Sequence, residues 1–491
     1  MHFFSSQELS VLSQVYFGFN YFIFFILATH ILFNKSDPTS CLGWLFAAAF
    51  SPPVALLAYI AFGLNPFEHY KKRRSRSNAI ASKAIKSSPF EISEITKTQL
   101  QLFKNQDFFN TLTWAAQAQA QPLLLGESVE MIVNSNAAYS AYEKAIREAK
   151  EFILIEFYQI QNDRIGVYFL DLLAEKAEAG VRVYVLFDPI GSYGLHEDKL
   201  MAYRQKGVHI FSFLSIRPFR RRFQINWRNH RKIVVCDGQI GFIGGFNIGE
   251  LYLTGKDLEN PHWVDVNFVT QGQLVDRMTQ IFSEDWHFAT GQTLRNLQRK
   301  EPAIFSPAEK TLTTIIASGP SERFPGFHAA LLSAIYESKK RIWFATPYFV
   351  PDKSLLEALA LACRRGVDVR IFIPKKSNHR FADFCSQSFF KDLFKSGIKI
   401  YRFKRGMCHA KLMLADDDLV LAGSSNLDNR SFFLNFEVDL ITKNGNLSAE
   451  LEKFFEDAFL KAVLLTKKEI RIINPIKILV LRISRICAPL L

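Results

Sequence analysis

The sequence predicts an α/β protein built from two similar halves and preceded by a pair of apolar helices that cross a membrane. Three observations predict it. A His, Lys and Asp pattern occurs twice with equal internal spacing. Strand-like and helix-like stretches alternate in the same order ahead of each copy. Two apolar stretches near the N-terminus are each close to the roughly 20 residues that a helix needs to cross a bilayer.

The apolar stretches come first. Residues 15–33 are dominated by Phe, Ile and Leu, and residues 41–64 form the second stretch. A signal peptide would carry a basic leading region, and residues 1–14 hold no Lys or Arg. Ser51, Pro52 and Pro53 interrupt the second stretch. We read them as a kink in a spanning helix, with a re-entrant hairpin as the alternative. The link between the stretches carries only Lys35 and Asp37, whereas Lys71, Lys72, Arg73, Arg74 and Arg76 come after the second. The positive-inside rule places that cluster, and both termini with it, in the cytoplasm of a multi-pass inner-membrane protein. Residues 1–65 are thus a transmembrane hairpin, and residues 66–110 a basic juxtamembrane linker.

A chain of 491 residues with 48% hydrophobic and 22% charged side chains can bury about three folding units and is not globally disordered. Its net charge of +13 favours anionic partners, an acidic membrane surface or nucleic acid. Cys41, Cys236, Cys363, Cys385, Cys408 and Cys487 form neither a CxxC pair nor a disulfide framework. This suits a reducing compartment or simple buried packing.

From residue 111 the α/β alternation begins. Residues 143–150 read as helix, 152–157 as strand, 167–179 as helix ending at Gly180, and 181–187 as strand. The order repeats with helix 327–340, strand 342–345, helix 354–365 ending at Gly366, and strand 367–373. This gives two domains, 111–300 and 301–465, with residues 466–491 as an amphipathic tail that lies at a membrane interface or packs on the domain.

The chemistry sits in the repeated motif. The first copy is His230, Lys232 and Asp237, and the second is His409, Lys411 and Asp416. Asn247 and Asn426 each come 17 residues after their His, beside small-residue turns. Residues two apart on a strand share a face, so each His and Lys point the same way. Each Asp falls at odd spacing, at a turn, and reads as mainly structural. Two facing copies would supply two imidazoles, two ammoniums and two carboxamides. One imidazole can attack phosphorus and the other can move protons to and from oxygen, while Lys and Asn stabilise charge on non-bridging oxygens. This set calls for no metal and no cofactor.

On these residues the chain resembles the phospholipase D superfamily. The runs around Asn229 to Lys232, Gly244 to Glu250 and Gly423 to Glu437, with the paired apolar segments, resemble bacterial cardiolipin synthases along essentially the whole chain. The resemblance implies two α/β/α halves related by pseudo-twofold symmetry with one active site between them. It implies a ping-pong transfer in which two phosphatidylglycerols give cardiolipin and glycerol, with His230 the nucleophile and His409 the acid/base. Glu437, 28 residues beyond His409, matches a family carboxylate that orients a motif histidine. Asp265 is its counterpart in the first copy, at an offset of 35 that implies an insertion and without the arginine common before it. The implied partners are phosphatidylglycerol, other anionic phospholipids and the bilayer.

Arg217, Phe219, Arg220, Arg221, Arg222 and Phe223 interleave basic and aromatic side chains. Such a loop suits anionic headgroups or nucleic acid, and the apolar spans favour lipid over nucleic acid. The rival readings keep the same catalytic residues: a phospholipase D-type hydrolase, a transphosphatidylase using another phospholipid or alcohol, or a membrane-tethered nuclease.

Overall fold

The computed structural model describes residues 6–35, 38–63, 67–84, 123–214, 227–253, 262–297, 311–320, 325–471 and 474–490, with shorter pieces between 101 and 119. The basic-aromatic loop at 217–223 lies outside the described residues. The chain forms two units, one within residues 1–72 and one beginning at residue 73.

In the first unit, helix α1 spans Ser6–Asn34. Its section Ser13–Asn34 has a mean hydropathy of 1.7 and is long and apolar enough to cross a membrane. The second apolar stretch does not form a second such helix. It is broken into α2, Pro38–Phe50, and α3, Pro52–Ala58, with a π-helical turn after them at Tyr59–Gly63. The break is Ser51, whose extended backbone (φ −152°) cannot continue a helix.

The kinked-span expectation is corrected by where Tyr59 lies. Its ring packs edge-on against Trp44 of α2 with centroids 5.1 Å apart, and its hydroxyl is 3.1 Å from His30 Nδ1 of α1. Lys35 stands 5.9 Å from the same ring. A span continuing past Ser51 would carry Tyr59 about 30 Å from the end of α1 at 1.5 Å per residue. Instead α2 and α3 fold back as a hairpin beside α1, around Leu27, Ile31, Ala48, Ala55 and Tyr59.

The stretch expected as a linker contains a helix, α4, Phe67–Ala84. From residue 73 it belongs to the second unit, where Arg74 and Ser77 are buried against α5, Gln273–Thr290. Polar side chains here meet a protein surface rather than solvent: Ser77 Oγ is 2.7 Å from His287 Nδ1, and Ser82 donates to Glu284.

The second unit carries the duplicated α/β pattern. Among the described residues, the first sheet has seven strands in the order 129–132, 267–271, 240–244, 233–236, 152–157, 182–187, 209–212. The second repeats this order in 437–443, 419–423, 412–415, 341–345, 368–374 and 399–403. In both, the motif strand runs antiparallel to its neighbours, and the three strands on one side of it are parallel to one another. The central parallel strand Phe152–Phe157 is buried along its whole length and is apolar except for Glu156.

Local signals explain the helices between them. Asp163 caps Arg164–Glu178 by accepting from the Ile165 and Gly166 amides, and Gly180 ends it at φ +90°. Asp352 and Gly366 do the same for Lys353–Arg364. The helix expected from residue 143 begins earlier, at Ser135, because the Asn134 side chain caps it through the Ala137 amide. Between the halves, Met278, Phe282 and Trp286 of α5 share a core with Trp343, Leu414 and Phe455.

The tail forms a helix, Pro475–Ile486, that does pack on the domain. Leu481 and Ser484 are buried, and the Ser484 carbonyl accepts from Cys385 Sγ. Ile476, Leu479, Ile483 and Ile486 remain exposed on its other face.

Candidate active site

Each motif histidine stands just before a central strand, Ile233–Cys236 or Leu412–Ala415. Backbone bonds from the opposite half hold it there. The His230 amide donates to the Phe436 carbonyl at 2.8 Å, and the His409 amide donates to the Val264 carbonyl at 2.7 Å. Residues 406–408 pair in parallel with 262–264, and Asn229 bridges Phe436. The two halves are stitched together at the two motifs.

The carboxylates make the same exchange. His230 Nδ1 lies 2.9 and 3.1 Å from the Glu437 oxygens, and His409 Nδ1 lies 2.6 Å from Asp265 Oδ2. Each imidazole is thus oriented by the half that does not carry it. A carboxylate at Nδ1 fixes the proton there and leaves Nε2 with its lone pair. Glu437 also accepts from Ser424, Ser431 and Asn435, so its position is saturated with donors. Gly245 makes room for Asp265: a Cβ there would lie 2.0 Å from the carboxylate.

The site is dry. His230, Lys232, His409 and Lys411 are all at most 9% exposed. Burial lowers the proton affinity of both imidazoles, with His409 pushed down to about 3. Lys411 adds to this for His230, and Lys232 for His409, so the two copies act on each other electrostatically. Burial also pushes Lys232 down to about 7, against the pull of Glu437. Asp265 and Glu437 are held below the usual carboxylate range: burial opposes ionisation, but the histidine and lysine charges outweigh it. Lys232 donates to the His230 carbonyl at 2.6 Å, and Lys411 to that of His409.

The motif aspartates are elsewhere. Asp237 and Asp416 stand at the hairpin turns with φ of +54° and +48°. Asp237 accepts from the amides of Lys150, Glu151 and Phe152, and Asp416 from those of Lys339, Lys340 and Arg341. Each ties a strand entry to a turn and takes no part in the histidine–carboxylate pairs.

Asn247 is fixed by two neighbours, accepting from the Gln159 amide at 3.2 Å and donating to the Tyr252 hydroxyl at 2.8 Å. Asn426 is buried, and its Oδ1 has no hydrogen-bond partner among the described residues. Tyr158 packs on His230, and Trp263 on His409, walling both rings.

Sequence reasoning missed the layer under the first motif. Arg231 donates to the Glu437 carbonyl at 3.0 Å and pairs with Asp285, which also pairs with Arg74 of α4. Asn229 donates to Glu156, whose carboxyl is pushed well up by burial and by Asp285. A Glu inside the apolar strand Phe152–Phe157 was the one available signal. Among the described residues, no group of three or more His, Cys, Asp or Glu side chains could hold a metal ion.

A family model described as the cardiolipin synthase, phospholipase D-like domain matches residues 142–286 and 331–459. Cardiolipin synthase A of Pseudomonas putida (strain GB-1) is 33% identical over 472 residues, covering 95% of this chain and 96% of that one. Cardiolipin synthase A of Pseudomonas aeruginosa (strain LESB58) is 33% identical over 473 residues, covering 95% and 94%. Of solved structures, a phosphatidylserine synthase from Haemophilus influenzae Rd KW20 superposes with a TM-score of 0.60 at 17% identity, over 78% of this chain and 100% of that one, a likeness of fold.

Proposed function

Because this chain belongs to the cardiolipin synthase family of phospholipase D-like proteins, we propose that it joins two phosphatidylglycerol molecules into cardiolipin and releases glycerol. It is an enzyme of the phosphatidyltransferase type. The observation that carries the mechanism is the reciprocal pairing of His230 with Glu437 and of His409 with Asp265.

His230 Nε2 attacks the phosphorus of the first lipid. A P–N bond forms, the P–O bond to glycerol breaks, and the leaving oxygen takes a proton from His409. The headgroup hydroxyl of the second lipid then gives its proton to His409. Its oxygen forms the new P–O bond, and the P–N bond breaks. Lys232 and Lys411 face the phosphoryl oxygens and stabilise their developing charge. An entering phosphodiester offsets the lysine repulsion at His409 and raises its affinity for the proton that it must donate. Asn247 and Asn426 support the site from the turns beside it. The low exposure of the histidines favours a lipid hydroxyl over water as the acceptor.

The catalytic unit faces the cytoplasm of a bacterial inner membrane, anchored by α1, since the basic cluster comes after the apolar segment. Tethering holds the enzyme in its two-dimensional substrate pool.

The test supplies membranes containing the protein with phosphatidylglycerol and reads the products by mass spectrometry. Cardiolipin with glycerol is expected. Phosphatidic acid alone would assign a hydrolase, and a product with another alcohol a broader transphosphatidylase. His230→Ala and His409→Ala each abolish turnover, and full activity in either would overturn the shared site. Activity persists in excess chelator.

A further inference from the structure

We infer that the chain crosses the bilayer once, and that α2 and α3 form a re-entrant hairpin that enters the acyl chains and returns to the side it came from. The inference rests on the reading of α1 as a membrane span and goes beyond it in sidedness. Two membrane crossings would put the residues before α1 and after α3 on the same side. One crossing plus a returning hairpin puts them on opposite sides.

The geometry of return is direct. Trp44 lies seven residues before Ser51 and Tyr59 eight after it, and their rings are in contact. Tyr59 also meets His30 and Lys35, at the end of α1 where α2 begins. The polypeptide therefore leaves the hairpin at the level where it entered. The 13 residues of α2 measure about 20 Å, two-thirds of a hydrocarbon core of about 30 Å. Ser13–Asn34, at 22 residues, is long enough for the whole.

The turn is chemically suited to a medium without water. A helix N-terminus in hydrocarbon exposes amide donors that nothing there can satisfy. Here the first two helical positions of α3 are Pro52 and Pro53, which have no N–H. The Ser51 amide donates to Ala47 O at 3.1 Å, and its carbonyl accepts from Ala55 at 2.8 Å. The outer faces offer Phe46, Phe50, Val54 and Leu57 to the surroundings, with Phe50 beside the turn 94% exposed. In water this surface would be an aggregation liability, whereas acyl chains cover it without a protein partner.

The experiment uses the full chain in sealed membrane vesicles of both orientations. Ser10→Cys, Lys35→Cys and Arg76→Cys are labelled singly with a membrane-impermeant maleimide and read at the modified peptide by mass spectrometry. The inference expects Lys35→Cys and Arg76→Cys to label from the same side and Ser10→Cys from the other. Ser10→Cys and Arg76→Cys labelling from one side, with Lys35→Cys opposite, would overturn the hairpin and leave the anchor standing. Release of the protein by alkaline carbonate would overturn both. Each variant is first checked for transferase activity, so that sidedness is read on a folded enzyme.

Discussion

The two halves present nearly the same histidine, lysine and carboxylate, yet rest them on different foundations. Beneath the first motif lies a buried charge cluster of Arg231, Asp285, Arg74 and Glu156, joined by Asn229. In the second half the matching motif positions are Cys408 and Ala410, both buried. Glu156 stands opposite Ile233, and its positional equivalent opposite Leu412 is Ala345. At these matching positions the second motif carries no charge. What the cluster adds is a tie to α4: Arg74 comes from that helix, and Phe288 and Phe436 flank its guanidinium. Breaking a buried pair is far more costly than replacing it whole by apolar groups.

The carboxylates differ as well. The first half supplies a short Asp265 beside Gly245, and the second a longer Glu437 beside Ser424. The largest effects are expected at this pair. Glu437→Gln and Asp265→Asn should each lower kcat by about 10²- to 10⁴-fold with the melting temperature little changed, since each loses the charge that fixes its histidine's tautomer. A larger loss in Glu437→Gln would mark His230 as the more demanding role.

Next comes the cluster. Arg74→Met or Arg231→Met should cost about 3–5 kcal/mol in denaturant melts, by leaving Asp285 short of a partner. The triple change Arg74→Met, Arg231→Met and Asp285→Leu, which imitates the second half, should recover most of that stability. Failure to recover would mean that the cluster has a role beyond its own electroneutrality.

Burial lowers the proton affinity of both motif lysines, and Lys232 reports on the first half through pH. Its folded pKa of about 7 lies below the unfolded 10.5, so the folded state binds fewer protons between those values. Stability from this group is reduced below pH 7 and regained as pH rises toward 10.5. Lys232→Met should remove its share of that rise from the melting-temperature profile while abolishing transfer.

The smallest effect concerns Asp439, pushed up to about 8 by burial and by Glu437. It occupies the position of Asn267 in the first half, opposite the last glycine of the neighbouring strand. A neutral carboxyl and a carboxamide are near-isosteres, so Asp439→Asn should keep activity within about twofold at pH 7. It should also flatten the loss of stability expected between pH 4 and 8, where only the unfolded aspartate ionises.

Part of the motif was legible because it is local: Asp237 is set by a turn dipeptide, whereas His230, Lys232, His409 and Lys411 precede the strands Ile233–Cys236 and Leu412–Ala415 rather than lying on them as strand periodicity suggests. Glu437 and Asp265 could be named by resemblance, but their exchange between halves could not be read. It depends on contacts across 207 and 144 residues of sequence. The basic cluster at 71–76 reads as a topology signal in any sequence, and nothing local marks Arg74 as buried and Arg76 as exposed. Ser51 with two prolines left both kink and hairpin open, since proline ends a helix without dictating the angle at which the next one leaves. The helix at 67–84 was hidden by its polar composition, which suits a surface offered by α5.

The exchange of carboxylates between halves also bears on biosynthesis. A ribosome that has reached residue 300 has made His230, Lys232 and Asp265, but neither Glu437, which sets the tautomer of His230, nor His409, which Asp265 orients. A nascent chain of that length thus holds His230 and Asp265 each without its partner. The two histidine–carboxylate pairs form only when the strand bearing Glu437 is added and the two halves close.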